Sequence, residues 1–195
     1  MPAAVAAFAA VTVLASAARD NGRLATADRA VFDRVRARRG RTGITLARAV
    51  SALAEPEVIY PVLAAAGISA ARRGRWRDGL RPCLVVAAGA VARRQLCQMI
   101  ARPRPPAEAW LAEPEGFSLP SKHTTLAALA AGACAAALGI RGAPARAAPL
   151  LAAAGVGGSR VYLGVHWPAD VAAGWLFAEG WLRLAGPAGP PHPGL

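Results

Sequence analysis

Lysine is nearly missing from this chain: Lys122 is the only one, so every other basic residue is an arginine. Acidic residues are scarce too, 11 against 23 basic ones, for a formal charge of +12. Nucleic-acid binding would need that charge on one contiguous basic face with aromatic or polar readers. The arginines instead crowd between apolar runs, where they set membrane topology and meet anionic lipid head groups. Cysteine is limited to Cys83, Cys97 and Cys134, each inside an apolar stretch and none in a paired spacing such as CxxC. That excludes a disulfide framework and a zinc site. The chain also lacks a cluster of carboxylates and histidines suited to a two-metal centre.

What is abundant is apolar: 55% of the 195 residues are hydrophobic. Six apolar segments lie at about 2–18, 44–71, 80–101, 123–140, 147–164 and 168–186. They approach the roughly 20 residues that cross about 30 Å of hydrocarbon as a helix. The expected class is therefore all-α, a polytopic membrane bundle of about six transmembrane helices in one domain, 1–186. Ala15, Ser16 and Ala17 resemble a signal-peptidase site, but no positive charge precedes the run, which favours a retained first span. Residues 19–43 carry eight arginines and three aspartates. Ala30, Val31, Phe32 and Val35 suit either a short helix on the membrane surface or a solvated connector. In the second segment, EPEVIYP should bend or break the span at Pro56 and Pro61, with Glu55 and Glu57 near an interface or facing the bundle. Alanine and glycine in the last three segments permit close helix approach. The tail 187–195 is expected to be disordered.

Alternating spans place loops 19–43, 102–122 and 159–167 on one side, and 72–81, 141–146 and the C-terminus on the other. Counted on the first loop alone, its eight arginines face eight on the opposite side, and on that count the positive-inside rule ties. The same topology gathers three polar clusters on one face: ARPRPP (101–106), LPSKHTT (119–125) and SRVYLGVHWPAD (159–170). In the second, Ser121 is a good N-cap for the following apolar run, and first-turn N–H groups make an anion site. Lys122 and His123 add a cation and a proton donor. Taken alone, PSKH also fits an ordinary capped helix. In the third, His166 and Asp170 are four apart and Pro168 suits a first helical turn, so the carboxylate can accept the imidazole N–H. The other ring nitrogen is then left as base or nucleophile. Arg160 supplies a fork for phosphate oxygens.

These residues resemble the type 2 phosphatidic acid phosphatase family, whose superfamily includes the vanadium haloperoxidases. The family pattern is lysine, six residues, Arg-Pro; then Pro-Ser-Gly-His; then Ser-Arg, five residues, His, three residues, Asp. Ser159, Arg160, His166 and Asp170 meet the third part in full, and Pro120, Ser121 and His123 meet the second, with Lys122 in place of glycine. Arg104 and Pro105 meet the end of the first part, but its lysine falls on Cys97, or on Gln95 if counted from Arg102. Arg93, Arg94, Arg102 and Lys122 are the candidates to replace that cation. The resemblance covers about residues 45–186 and fits the six-span membrane branch, which disfavours a soluble haloperoxidase.

The resemblance implies a membrane lipid-phosphate phosphatase. His166 would form a phosphohistidine, Asp170 would orient it, and His123 would serve as general acid and then base. Arg104, Arg160, Ser121 and the Lys122 N–H would cradle the phosphate oxygens, with no metal or other cofactor. Implied substrates are polyprenyl pyrophosphates, phosphatidic acid, phosphatidylglycerol phosphate or polyprenyl sugar phosphates. The implied location is a bacterial plasma membrane, with the site at the extracytoplasmic face. The loop 106–119, with Trp110 and Phe117, suits either an interfacial lid or an amphipathic connector. The competing class is a non-enzymatic membrane scaffold or transporter that keeps the fold.

Overall fold

The computed structural model describes residues 1–19 and 22–186; the tail at 187–195, expected to be disordered, lies outside them. The described residues form eight α-helices: α1 (Pro2–Arg19), α2 (Arg23–Ala37), α3 (Arg41–Ala52), α4 (Pro56–Arg72), α5 (Arg81–Ile100), α6 (Lys122–Ala137), α7 (Gly142–Tyr162) and α8 (Pro168–Ala185). Short 3₁₀ turns at Trp76–Asp78 and Ala107–Ala109 sit in the two longest connections.

The break anticipated at Pro56 is present, whereas Pro61 lies inside α4 without ending it. α3 stops at Ala52, Pro56 opens α4, and the two helices are bent by 48°. Proline at the first helical position lacks only an N–H that would be unsatisfied there anyway, whereas the preceding residue is pushed to extended backbone. Glu55 shows this with ψ 146°. Of the two readings of residues 19–43, the helix is the observed one. α2 packs against α7 and α8, with Phe32 buried against Trp167, ring centroids 5.2 Å apart.

α6 is the central element, in contact with α4, α5, α7 and α8. Small residues let the backbones close in. A Cβ on Gly174 of α8 would lie 3.1 Å from the Ser121 carbonyl oxygen and 3.1 Å from Thr124 Cβ. The core around this contact contains Leu63, Val86, Leu126, Leu129 and Val156. α1 lies along α8, where Val11, Leu119 and Phe177 are buried together and Phe8 meets Phe177 edge-on.

By length and composition, α5 is the one helix among the described residues that qualifies as a membrane span by itself; up to three qualify if each bent pair is one span. This falls short of the six expected spans for identifiable reasons. α4 has 17 residues and α6 has 16, while α8 carries Asp170, Glu179 and Arg183 within its length.

The helices bring the expected loops together at one end. Arg39 donates to the Ala109 carbonyl at 2.8 Å, and Tyr162 Oη donates to the Arg38 carbonyl, joining the α2–α3 turn to the long loop and to α7. At the other end Arg75 donates to the carbonyls of Ala136 and Ala137, and Arg81 to those of Ala185 and Gly186.

Candidate active site

Gly164 creates the turn that presents His166. Its φ is +83°, a left-handed conformation open to glycine, and an added Cβ would meet the Ala109 carbonyl oxygen at 2.1 Å. The five-residue link between α7 and α8 thus lies directly against the long loop. Trp167 then caps α8, and Pro168 and Asp170 occupy its first turn. Asp170 Oδ2 accepts the Trp167 N–H at 2.8 Å, a carboxylate in its favoured place at a helix N-terminus.

His166 is buried between two partners of opposite kind. Nδ1 is 3.3 Å from Asp170 Oδ2, and Nε2 is 3.2 Å from Arg104 Nη1. A guanidinium only donates and a carboxylate only accepts. These partners assign the proton to Nδ1 and leave the Nε2 lone pair free of it. Burial, with Arg104 and Arg160 nearby, pushes the His166 pKa down to about 4 against the upward pull of Asp170, so the ring is neutral at pH 7.

Nε2 faces a cavity of about 80 Å³ lined by Glu55, Arg104, Glu113, Glu115, Lys122, His123, Arg160 and His166. His123 enters from the first turn of α6, its Nε2 3.0 Å from Glu55 Oε1. Arg160 enters from α7. Its Nη1 donates to Ser51 Oγ at 2.9 Å, while its Nε is buried without a hydrogen-bond partner. An unsatisfied buried cationic donor beside a cavity is costly, and an oxyanion would relieve it. Lys122 Nζ lies 3.3 Å from Glu115 Oε2. Arg104 donates to the backbone carbonyls of Glu115, Gly116, Phe117 and Val165, tying the long loop to the His166 turn. A larger cleft of about 480 Å³ at the opposite end is lined by small apolar residues together with Asp78, Arg81, Arg146, Glu179 and Arg183, and holds no histidine among the described residues.

His166, Asp170, His123, Arg104, Arg160 and Lys122 therefore converge, as their motifs implied. Three other expectations have a different outcome. Ser121 is fully buried as the N-cap of α6; its Oγ accepts from the Thr124 N–H and hydroxyl, and it does not line the cavity. Arg102 is enclosed, with Nη1 2.6 Å from Asp170 Oδ1 and Nη2 2.6 Å from Asp28 Oδ2. It is thereby committed to carboxylates and is not a spare phosphate cation. Arg94 is exposed and lies, with Arg93, which donates to the Pro120 carbonyl, in a groove along α5 that meets the cavity at Glu115 and Lys122; neither arginine lines the cavity itself. Of the candidate replacements for the missing lysine, Lys122 is the one at the cavity. Glu55, Ser51 and Asp28 carried no motif, and their partners are remote in sequence.

A histidine tied to a carboxylate beside a group of cations, held in an all-helical bundle, is an arrangement suited to a membrane phosphatase. The chain belongs to the PAP2 superfamily, whose family model matches residues 78–186. Its fold is similar to the crystal structure of a transmembrane PAP2 type phosphatidylglycerolphosphate phosphatase from Bacillus subtilis. The two share 26% identity with a TM-score of 0.83, over 95% of this chain and 94% of that one. No curated protein matches the chain.

Proposed function

We propose that the protein hydrolyses a phosphomonoester or pyrophosphate on a membrane lipid through a phosphohistidine at His166. The observation that carries this reading is the His166 ring itself: Nδ1 faces Asp170, and Nε2, left without a proton, accepts from Arg104 at the cationic cavity, a hydrogen bond that attack on phosphorus would replace. Nε2 attacks phosphorus as the P–O bond to the lipid breaks, and His123 delivers a proton to the departing oxygen. Asp170 stabilises the resulting phosphoimidazolium. His123 then takes a proton from water as the water oxygen attacks phosphorus, the P–N bond breaks, and inorganic phosphate leaves.

Arg160, Lys122 and Arg104 stabilise the charge on the phosphoryl oxygens, the term that dominates phosphoryl transfer. In this mechanism those cations do the electrostatic work without a metal. The site is at the end of a membrane bundle, which suits a substrate whose phosphate is at the lipid surface while its chains stay in the bilayer. The B. subtilis relative makes phosphatidylglycerol phosphate a natural first substrate to test, beside phosphatidic acid and a polyprenyl pyrophosphate.

The test is phosphate release by purified protein in detergent micelles containing each of these lipids, with and without EDTA. Turnover of at least one lipid, unaffected by EDTA and abolished in His166→Ala and His123→Ala, is the expected result. Folded protein that releases phosphate from none of them favours the scaffold or transporter reading instead.

A further inference from the structure

Asp28 lies on α2, 50 residues before the family match begins, and it is buried. A buried carboxylate needs compensating partners, and Asp28 has two. Oδ2 is 2.6 Å from Arg102 Nη2, and Oδ1 accepts the Ala169 N–H at 2.9 Å. Arg102 passes the connection on to Asp170 Oδ1 at 2.6 Å, and Asp170 Oδ2 meets His166 Nδ1. Arg102 also packs its guanidinium over Trp167, 5.7 Å from the ring centroid. The result is one buried chain, Asp28, Arg102, Asp170, His166, supplied by α2, the loop after α5, the first turn of α8 and the link before it.

We propose that Asp28 is a positioning residue for the catalytic histidine, so that α2 is a working part of the active site. The inference rests on the phosphohistidine reading. It has a mechanical side and an electrostatic one. Mechanically, Asp28 grips α8 twice: through the Ala169 N–H in its first turn, and through Arg102, which fixes the Asp170 carboxylate. Electrostatically, Arg102 alone would neutralise Asp170. With Asp28 the trio carries one net negative charge, next to the ring that becomes positive when Nε2 takes the phosphoryl group. The other charged groups around His166 are Arg104 from the long loop, Arg160 from α7, Lys122 and His123 from α6, Glu55 from the α3–α4 break, and Glu113 and Glu115. These groups line the cavity, whereas Asp28 acts on the Nδ1 side through Arg102 and Asp170.

The experiment compares wild type, Asp28→Asn, Arg102→Lys and His166→Ala in full-length protein with the lipid phosphate that the wild type turns over. Asparagine keeps the size but removes the charge; lysine keeps the charge but lacks the planar fork whose two terminal nitrogens each reach one carboxylate. In both variants kcat should fall at least about tenfold, as for removal of a group that orients a catalytic histidine, with KM within about twofold. In Asp28→Asn the imidazolium loses support, so the acid limb of the kcat profile moves to lower pH while the alkaline limb stays. A structural role would lower kcat only in proportion to folded protein and leave both limbs in place. Wild-type kcat in Asp28→Asn, or in Arg102→Lys if the first variant fails to fold, overturns the inference; so does a loss with unmoved limbs. If the wild type itself is inactive on every lipid phosphate, the phosphatase reading falls and takes this inference with it. An inactive His166→Ala beside a fully active Asp28→Asn overturns the inference alone.

Discussion

At the scale of single residues, the missing first-motif lysine is the sharpest question. Cys97 stands in its place, buried and with its thiol toward the Phe117 carbonyl, so it offers phosphate no cation. Lys122 is at the cavity, where its ion pair among the described residues is with Glu115, whose side chain is 85% exposed. A solvent-exposed pair of this kind is worth about 0–1 kcal/mol, so Lys122 can exchange it for a phosphoryl oxygen at little cost. Lys122→Ala should lower kcat/KM at least about tenfold, a modest loss for one donor to developing phosphoryl charge. Lys122→Arg should keep most of it. Arg94→Ala, outside the cavity, should match wild type, and equal turnover in all these proteins would remove the compensation. His166 and Asp170 were legible beforehand because an i, i+4 spacing after a helix-starting proline is local information. Glu55 and Asp28 were not. Their partners lie 68 and 74 residues away at His123 and Arg102, and no periodicity encodes a contact made by tertiary packing.

At the scale of elements, the catalytic geometry depends on how closely α6 and α8 approach. Ser121 joins them: its N–H donates to the Asp170 carbonyl at 3.1 Å while its side chain caps α6. One helix start therefore sets His123 relative to the turn that carries His166. Gly174 packs on this junction, where a side chain would collide with the Ser121 carbonyl and with Thr124. Gly174→Val should destabilise the bundle by about 1–3 kcal/mol, the usual cost of overpacking, and reduce kcat beyond the loss of folded protein. Gly155, on α7, has nothing within 4 Å of an added Cβ. Gly155→Ala should be neutral or gain up to about 1 kcal/mol from helix propensity. Thermal unfolding in detergent beside kcat checks both; equal stability of the two variants would mean that the α6–α8 approach is not tightly fixed. The six apolar segments marked seven of the eight helices in advance, the second segment being broken in two before Pro56. Sequence alone allowed α2 either form, because its charges suit a solvated connector as well as a helix whose Phe32 finds a partner in Trp167.

At the scale of the whole molecule, charge counting failed for a reason the fold makes visible. The positive-inside rule concerns basic residues free in short loops, yet many arginines here are fastened inside the protein. At the site end Arg39 binds a carbonyl, Arg102 bridges two aspartates, and Arg104 and Arg160 line the cavity. At the far end Arg75 and Arg81 hold the carbonyl ends of α6 and α8. A direct measurement must replace the count. In a background with Cys83, Cys97 and Cys134 changed to alanine, single cysteines at Arg38 and Glu108 mark the site end, and cysteines at Leu80 and Arg141 mark the other. All four positions are exposed. With a membrane-impermeant maleimide on intact cells, Arg38→Cys and Glu108→Cys should label together while Leu80→Cys and Arg141→Cys label only after permeabilisation, as an extracytoplasmic site requires. The reverse pattern would keep the two-ended bundle but put the site in the cytoplasm. Mixed labelling within either end would contradict a bilayer crossed by the bundle between its two groups of loops.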